Sequence, residues 1–458
     1  MDNLSRRDFL RLSAVAAAGA AVAACAKTEA PTTAPAAATN TPAAAATNTT
    51  IPTREPTNTP VPTPVEVKEA PMVADMVAAG TLPPLDERLP QNPLVIQMDW
   101  QGPGKYGGKM RVVHTDSTWA GGPQEESMYG NSPIRWVDDG LGIEAGWVEK
   151  WTPNDDTSEW TFNVRKGIKW SDGEPFTVDD ILYWWEDLVL NPDQATNPPD
   201  EAKSGIGSVC TFTKVDDFTF KMTYDAPSPL VADRLAMWVN GDIGPRWIAP
   251  KHYLSQFHPS YNSEYADYVE HDIRIQLRQD PGGPSLSHFY CKDAEEGVFV
   301  TWDRNAYYYC VDADGNQLPY MDGCDNTSAQ NAEAAKAAIL AGQADFAWHQ
   351  PFGLADIATL KSNEGTSNME TRLIDTGSGT GSMFFFSRDY REDKYRELFR
   401  NPTFLKAVSH AWNRSEPHKV LYFQTGEPTT GTMSPKAIEY QFNDEAKERY
   451  AEWRDSAK

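Results

Sequence analysis

WTFNVRKGIKWSDGEPFTVDDILYWWEDLVL, residues 160–190, is the stretch whose reading decides the fold of this chain. Trp160, Phe162 and Val164 alternate with Thr161, Asn163 and Arg165, the period of a strand with one face buried. Lys166-Gly167 and Ser171-Asp172-Gly173 follow as turns, because glycine reaches backbone angles that other residues resist. Thr177 stands where a helix N-cap belongs, with Asp180 three residues on as the partner of a short capping box. Ile181, Trp184, Trp185 and Leu188 then fall at i, i+3, i+4 and i+7, and Asn191-Pro192 ends the helix. Strand, two turns and a capped helix agree at every local signal, so the plain reading is an α+β core piece.

The same run resembles the signature of the family 5 extracellular solute-binding proteins, the peptide, dipeptide and nickel receptors of ABC importers. The residues that carry the resemblance are Arg165-Lys166-Gly167, Trp170, Asp172-Gly173, Pro175-Phe176-Thr177, Asp179-Asp180 and Tyr183-Trp184-Trp185. Further stretches resemble the family in the same order. Lys105 to Val113 is a glycine turn feeding an opening strand. Glu144-Ala145-Gly146-Trp147 with Trp151 resembles the step before the signature, although Ile143-Glu144-Ala145-Gly146 lacks the usual proline and leucine. Ile248-Ala249-Pro250-Lys251-His252-Tyr253-Leu254 resembles a helix start. Arg304-Asn305-Ala306-Tyr307-Tyr308-Tyr309 and Asp314 to Asp322 form a second anchor, with Ala306 in place of a proline. Phe399 to Arg414 resembles a helix of the second lobe. Such motifs mark the scaffold; none of them is a ligand contact.

Composition bounds the function. The chain has 458 residues, room for two or three domains. Its 41 Lys+Arg against 65 Asp+Glu give a formal net charge of -24. That surface is repelled by phosphate backbones, which argues against a nucleic-acid partner. Aromatic residues make up 11%, with 15 Trp, a composition that fits stacking and apolar contact with a ligand as well as core packing.

Residues 1–25 read as an export signal. Ser5-Arg6-Arg7-Asp8-Phe9-Leu10 matches the twin-arginine pattern, and an Ala/Gly-rich run from Leu12 to Ala24 follows, too short and weakly apolar for a spanning helix. It ends Val22-Ala23-Ala24-Cys25, which resembles a lipobox whose Cys25 is acylated. Residues 26–90 are expected to be a Thr/Pro/Ala-rich tether, since from Ala26 to about Val67 they hold almost no large apolar residue, and the folded part is expected near Leu94.

Beyond the signature, Phe212 to Met222 reads as a hairpin turning at Asp216-Asp217. Glu125 to Arg135 reads as a helix and turn, Asn331 to Gly342 as an Ala-rich helix ended by glycine, and Ala344 to Ala347 as a strand. Met383 to Ser387 reads as a strand, which the resemblance implies lies about where the chain crosses between lobes, and the chain ends in an acidic amphipathic helix.

The reactive residue types fall in no catalytic spacing. Cys210, Cys291, Cys310 and Cys324 in an exported domain predict one or two disulfides among three open pairings; no CxxC spacing favours zinc. Asp312-Ala313-Asp314-Gly315-Asn316 has the glycine out of place and Gly323 where a calcium loop needs Glu, so a turn is expected. His252, His258, His410 and His418 form no HExxH, and none is distinctive for nickel. Gly377-Ser378-Gly379-Thr380-Gly381 is no nucleophile elbow.

The expectation is therefore an α/β, two-lobed periplasmic-binding-protein-like fold with an extra subdomain: residues 91–128 and 229–380 as lobe 1, 129–228 as its subdomain, and 381–458 as an incomplete second lobe. By resemblance it is a non-enzymatic, monomeric lipoprotein that stands on the outer face of the cytoplasmic membrane or in the periplasm. It captures a solute, peptide first and oligosaccharide second, and hands it to an ABC permease without a cofactor. An extracellular hydrolase on the same tether is the rival from another class. By position, the candidate ligand contacts are Ser117, Trp119, Tyr129, Gly379, Thr380 and Thr425.

Overall fold

The structure, a computed structural model, describes residues 68–97, 102–115, 132–137, 142–194, 197–236, 247–277, 279–347, 351–373, 385–426 and 443–455. Its strands, in chain order, are β1 Leu94–Ile96, β2 Lys109–His114, β3 Ile134–Val137, β4 Gly142–Ala145, β5 Val148–Pro153, β6 Glu159–Val164, β7 Thr211–Asp216, β8 Thr219–Thr223, β9 Phe289–Glu295, β10 Phe299–Arg304, β11 Cys310–Asp312 and β12 Gly323–Ser328. Two four-stranded sheets, β5-β6-β8-β7 and β2-β12-β10-β9, carry most of the pairing, and β1-β11 and β3-β4 are two-stranded.

The alternation at Trp160 becomes β6, an inner strand whose Trp160, Phe162 and Val164 are buried. Phe162 pairs across to Phe220 of β8, the two rings stacked with centroids 5.1 Å apart. β7 and β8 form the predicted hairpin, closed where Asp216 Oδ1 accepts the Phe218 N–H at 2.8 Å. Thr177 caps the helix Val178–Tyr183, and the Asp180 carboxylate bonds back to the Thr177 N–H.

That helix ends differently from its expected period. Trp184–Val189 is a π-helical turn, closed by Leu190 N–H to the Trp185 carbonyl at 2.9 Å. Trp184, Trp185, Leu188 and Val189 are all buried, in a single π-helical turn that continues the α-helix. Trp147, Trp160, Trp170, Trp184, Trp185 and Trp247 share the main core, and Trp302 anchors a second one with Phe289, Val300, Cys291 and Cys324. These tryptophans are structural.

Elsewhere the expected elements shift. Residues 68–90, inside the stretch read as tether, are folded: helices Pro71–Ala78 and Leu85–Arg88 are formed, with Ala70 and Val73 buried. Of the stretch read as helix and turn, residues 125–131 lie outside the described residues, and its end, Ile134 and Arg135, lies in strand β3, with Arg135 paired to Glu144 of β4. Ala344–Ala347 is not a strand. Asp345 instead caps the free edge of β2, its N–H donating to the Arg111 carbonyl at 2.8 Å while its carboxylate accepts from the Arg111 N–H. The helix read through Phe399–Arg414 is two, Asp393–Arg400 and Pro402–Ala411, because Pro402 offers no N–H and sits at the first helical position with Asn401 as cap. The Ala-rich helix forms as Ala332–Leu340, capped by Asn331, and Asp444–Asp455 is the expected acidic helix. The strand read at Met383 to Ser387 lies partly outside the described residues, and the described Phe385 to Ser387 are not in a strand.

Candidate functional site

The family motifs read from the sequence meet in space around the turn that follows β6. Gly173 holds φ +95°, and a side chain there would sit 3.0 Å from the Tyr307 hydroxyl of the second anchor, so only glycine lets the two stretches touch. The Ser171 N–H donates to the Ser285 carbonyl at 2.9 Å, and Ser171 Oγ accepts the Ser285 N–H at 3.0 Å. His252 Nε2 and Asp172 Oδ2 are 2.9 Å apart, both part-exposed. Burial opposes charge on this histidine, but the Asp172 hydrogen bond together with the attraction of Asp172, Asp180 and Glu174 outweighs it, and its pKa lies above the ordinary value. The pair ties the turn to the helix Lys251–Leu254 and holds no nucleophile between its members.

The second anchor is equally structural. The buried Arg304 guanidinium donates to the Tyr320 carbonyl at 2.8 Å and to Asp322 Oδ1 at 3.0 Å, and it also reaches the Pro319 carbonyl. Asp312, weighed as the start of a calcium loop, spends its carboxylate inward: Oδ1 accepts the N–H groups of Asp314 and Asn316, and Oδ2 accepts from Asn316 Nδ2 at 2.7 Å and from the Tyr320 hydroxyl. It is a turn. Among the described residues no three His, Cys, Asp or Glu groups converge on a metal position.

Cys210, Cys291, Cys310 and Cys324 are all free and buried, where the sequence raised one or two bridges among them. Burial pushes each thiol up to about 12. For one pairing the register supplies the reason: Cys291 of β9 and Cys324 of β12 both pair with Trp302 of β10, from opposite sides. Two strand spacings, roughly 10 Å, part them, beyond the reach of a disulfide.

Solutes of open α/β sheets sit off the carboxyl ends of parallel strands. Here β2 and β12 are parallel and end together, His114 opposite Ser328. Ser117 and Trp119 follow β2 in sequence but lie outside the described residues, as do Tyr129, Gly379, Thr380 and Cys25. Thr425 is described and exposed, and its hydroxyl donates to the Tyr422 carbonyl at 2.6 Å, a local turn bond.

Sequence reasoning overlooked a buried pair of histidines. His258 and His271 are 1% and 0% exposed with ring centroids 5.0 Å apart. The signal was present in the density of Tyr and His between Tyr253 and His271, but no spacing rule flags an imidazole pair that is used for packing.

Comparison with known proteins agrees with the motifs. Residues 3–23 match the twin-arginine translocation signal, so the chain carries an export signal. The periplasmic α-galactoside-binding protein of Rhizobium meliloti is 29% identical over 389 residues, 78% of this chain and 53% of that protein. A probable ABC transporter-binding protein of Deinococcus radiodurans is 29% identical over 296 residues, 63% of this chain and 47% of that protein. Among solved structures, the oligopeptide-binding protein OppA superposes with TM-score 0.65 and 26% identity, covering 86% of this chain and 62% of that one. The periplasmic binding protein MelB of Agrobacterium fabrum, in complex with stachyose, does so with TM-score 0.60 and 25% identity, covering 80% and 56%. The fold is thus of the two-lobed periplasmic-binding class, and the chain spans about half the length of the curated relatives it matches. Residues 142–458, from β4 onward, match the profile described as bacterial extracellular solute-binding proteins, family 5 Middle, and with its motifs, fold and export signal in agreement the chain belongs to that family.

Proposed function

We propose that this chain is the receptor of an ABC importer and captures an oligosaccharide of the α-galactoside kind between two lobes. The observation that carries the reading is extent. The α-galactoside-binding relative aligns over 78% of this chain, whereas the oligopeptide-binding relative of Salmonella typhimurium aligns over 18%. An acidic, polar composition suits the ligand, since carboxylates accept from sugar hydroxyl groups. Contacts from both lobes would stabilise the closed state, which a membrane permease then reads. Acylation at Cys25 would hold the receptor at the membrane, with Ser117, Trp119, Tyr129, Gly379 and Thr380 as first candidates for solute contact. A peptide is the second reading, favoured by the superposition on OppA over 86% of this chain.

Thermal denaturation with stachyose, smaller galactosides and a mixture of short peptides tests this. Ligand at 100 times its Kd adds about 2.7 kcal/mol, a rise of several degrees in a chain of this size. A rise with peptides alone hands the site to the second reading. No rise with either, together with turnover of a chromogenic glycoside or peptide, overturns the receptor reading in favour of a hydrolase.

A further inference from the structure

We propose that His258 and His271 form an acid-sensitive latch that fastens residues 251–275 onto the signature helix and lets go when the imidazole pair takes up protons. The two rings come from different elements, the loop after helix Lys251–Leu254 and the helix Val269–Arg274, and meet edge-on at 87°. Both are closed off from water. His258 Nδ1 accepts the Ser260 N–H at 3.1 Å, so the neutral ring carries its proton on Nε2, which has no hydrogen-bond partner and faces Asp187 Oδ1 at 3.8 Å. His271 Nε2 lies 2.9 Å from the Tyr183 hydroxyl of the signature helix, and its Nδ1 is likewise unpartnered, 3.9 Å from Asp272 Oδ1.

The Ser260 bond, which holds the His258 turn within residues 251–275, depends on a neutral ring, whereas the Tyr183 hydroxyl can donate to a neutral His271 or accept from a charged one. A proton on His258 Nδ1 turns an acceptor toward a donor, the Ser260 N–H, and breaks that bond. A second proton, on His271, places two buried positive charges side by side. The surrounding groups offset this only in part, since burial outweighs the attraction of Asp187 for His258. From the π turn, Asp187 has one oxygen taken by the Tyr261 hydroxyl at 2.8 Å, and Glu186 lies next to it in the chain. On the helix Val269–Arg274, Glu270 is held by Arg274 at 2.7 Å, and Asp272 is over half exposed. Tyr183, Tyr261 and Tyr268 complete the wall and are neutral. Burial lowers the affinity of both rings for protons, to a pKa of about 4 at His271, where the neighbouring His258 adds to the effect. An exported chain meets the pH of its surroundings, and here acid acts on one layer of the fold.

Peptide-resolved hydrogen exchange on the 458-residue chain at pH 7, 6, 5 and 4.5, corrected for intrinsic rates, tests the latch. Each imidazole that is neutral when closed and free to charge when open multiplies the opening constant up to tenfold per pH unit. Protection of residues 251–275 should therefore fall by more than tenfold, and up to about 100-fold, per pH unit below 6, while β9, β10 and β12 fall less. The variant His258→Asn/His271→Gln keeps an acceptor at each bonded nitrogen position and should flatten the dependence. Tyr183→Phe, which leaves both imidazoles, should lower protection at every pH and keep the slope. Equal slopes in wild type and the double variant, or loss of protection in 251–275 no steeper than in the sheet, overturn the proposal. Should the double variant not fold, the wild-type comparison of segment against sheet decides alone.

Discussion

Asp180 accepts the backbone N–H of Lys251 at 3.0 Å through one carboxylate oxygen while the other accepts the Thr177 N–H at 2.9 Å. One buried side chain, 4% exposed, therefore caps the signature helix and orients the helix start at Ile248–Leu254. The backbone repeats the link, with the Ala249 N–H donating to the Asp180 carbonyl at 3.2 Å. Two motifs about seventy residues apart are one structural unit.

Asp180→Ala should lower stability by about 2–4 kcal/mol, because it removes a capping box and leaves two buried N–H groups without an acceptor. Urea denaturation followed by tryptophan fluorescence reads this directly, given the aromatic core around Trp184. A change below about 0.5 kcal/mol, the ordinary range for a surface position, would mean that Asp180 does not join the two motifs.

The same carboxylate sets an opposing pH dependence. Burial, against the hydrogen bonds from Thr177 and Lys251, pushes its pKa up to about 6 from 3.8. Between those values the folded chain holds a proton that the unfolded chain has lost, so this group adds stability as pH falls. His271, lowered to about 4 from 6.5, does the reverse: its contribution is full above 6.5 and is lost as pH falls toward 4. Asp180→Asn removes only the first effect. Its stability should fall more steeply than wild type from pH 6 to 4.5, by up to about 1.4 kcal/mol per pH unit. Parallel stability curves for the two proteins would reject the assignment.

What the sequence revealed followed from local chemistry. The Thr177 cap, the alternation of β6 and the Asp216-Asp217 hairpin each depend on a few neighbouring residues, and each formed as read. Errors arose where a distant partner decides. Residues 68–88 look like tether by composition until Arg88 finds Gln317 and Ala306. The π turn at Trp184 answers to Phe212 and Trp247 packed against it. Four cysteines in an exported chain imply bridges by number, but strand register separates Cys291 from Cys324. For the solute site, sequence position named candidates on segments outside the described residues, and only Thr425 could be placed.

The free thiols give a simple check. With no bridge to break, millimolar reductant should leave the melting temperature of the folded chain unchanged, whereas loss of a native disulfide costs about 2–5 kcal/mol. Cys210, Cys291, Cys310 and Cys324 should resist an aromatic disulfide reagent at pH 8 in the native state and react in denaturant, since burial holds each thiol near 12. A reductant-sensitive melt would show that a bridge forms and that the strands carrying it pair differently.

Arg88 offers the sharpest test of whether residues 68–88 are part of the fold. Its side chain is fully buried, although burial lowers its pKa. Nε donates to the Pro83 carbonyl at 3.0 Å, and the two terminal nitrogens reach Glu69, the Ala306 carbonyl and Gln317 Oε1. One guanidinium thus joins the first helices to the second anchor, and Lys68 continues the join by bonding to Gly315 and Gln317 through its backbone. Arg88→Met fills a similar volume but takes the donor from the Glu69 carboxylate, the Pro83 and Ala306 carbonyls and Gln317 Oε1, at about 3 kcal/mol. Glu69→Gln should cost only about 1 kcal/mol, because Glu69 is 19% exposed and its amide still accepts from Arg88. In the double variant the two losses should fall short of additivity, the mark of direct contact. If Arg88→Met and deletion of residues 68–88 both leave the urea midpoint unchanged, the segment is a detachable lead-in, and the fold starts at β1 as composition alone would place it.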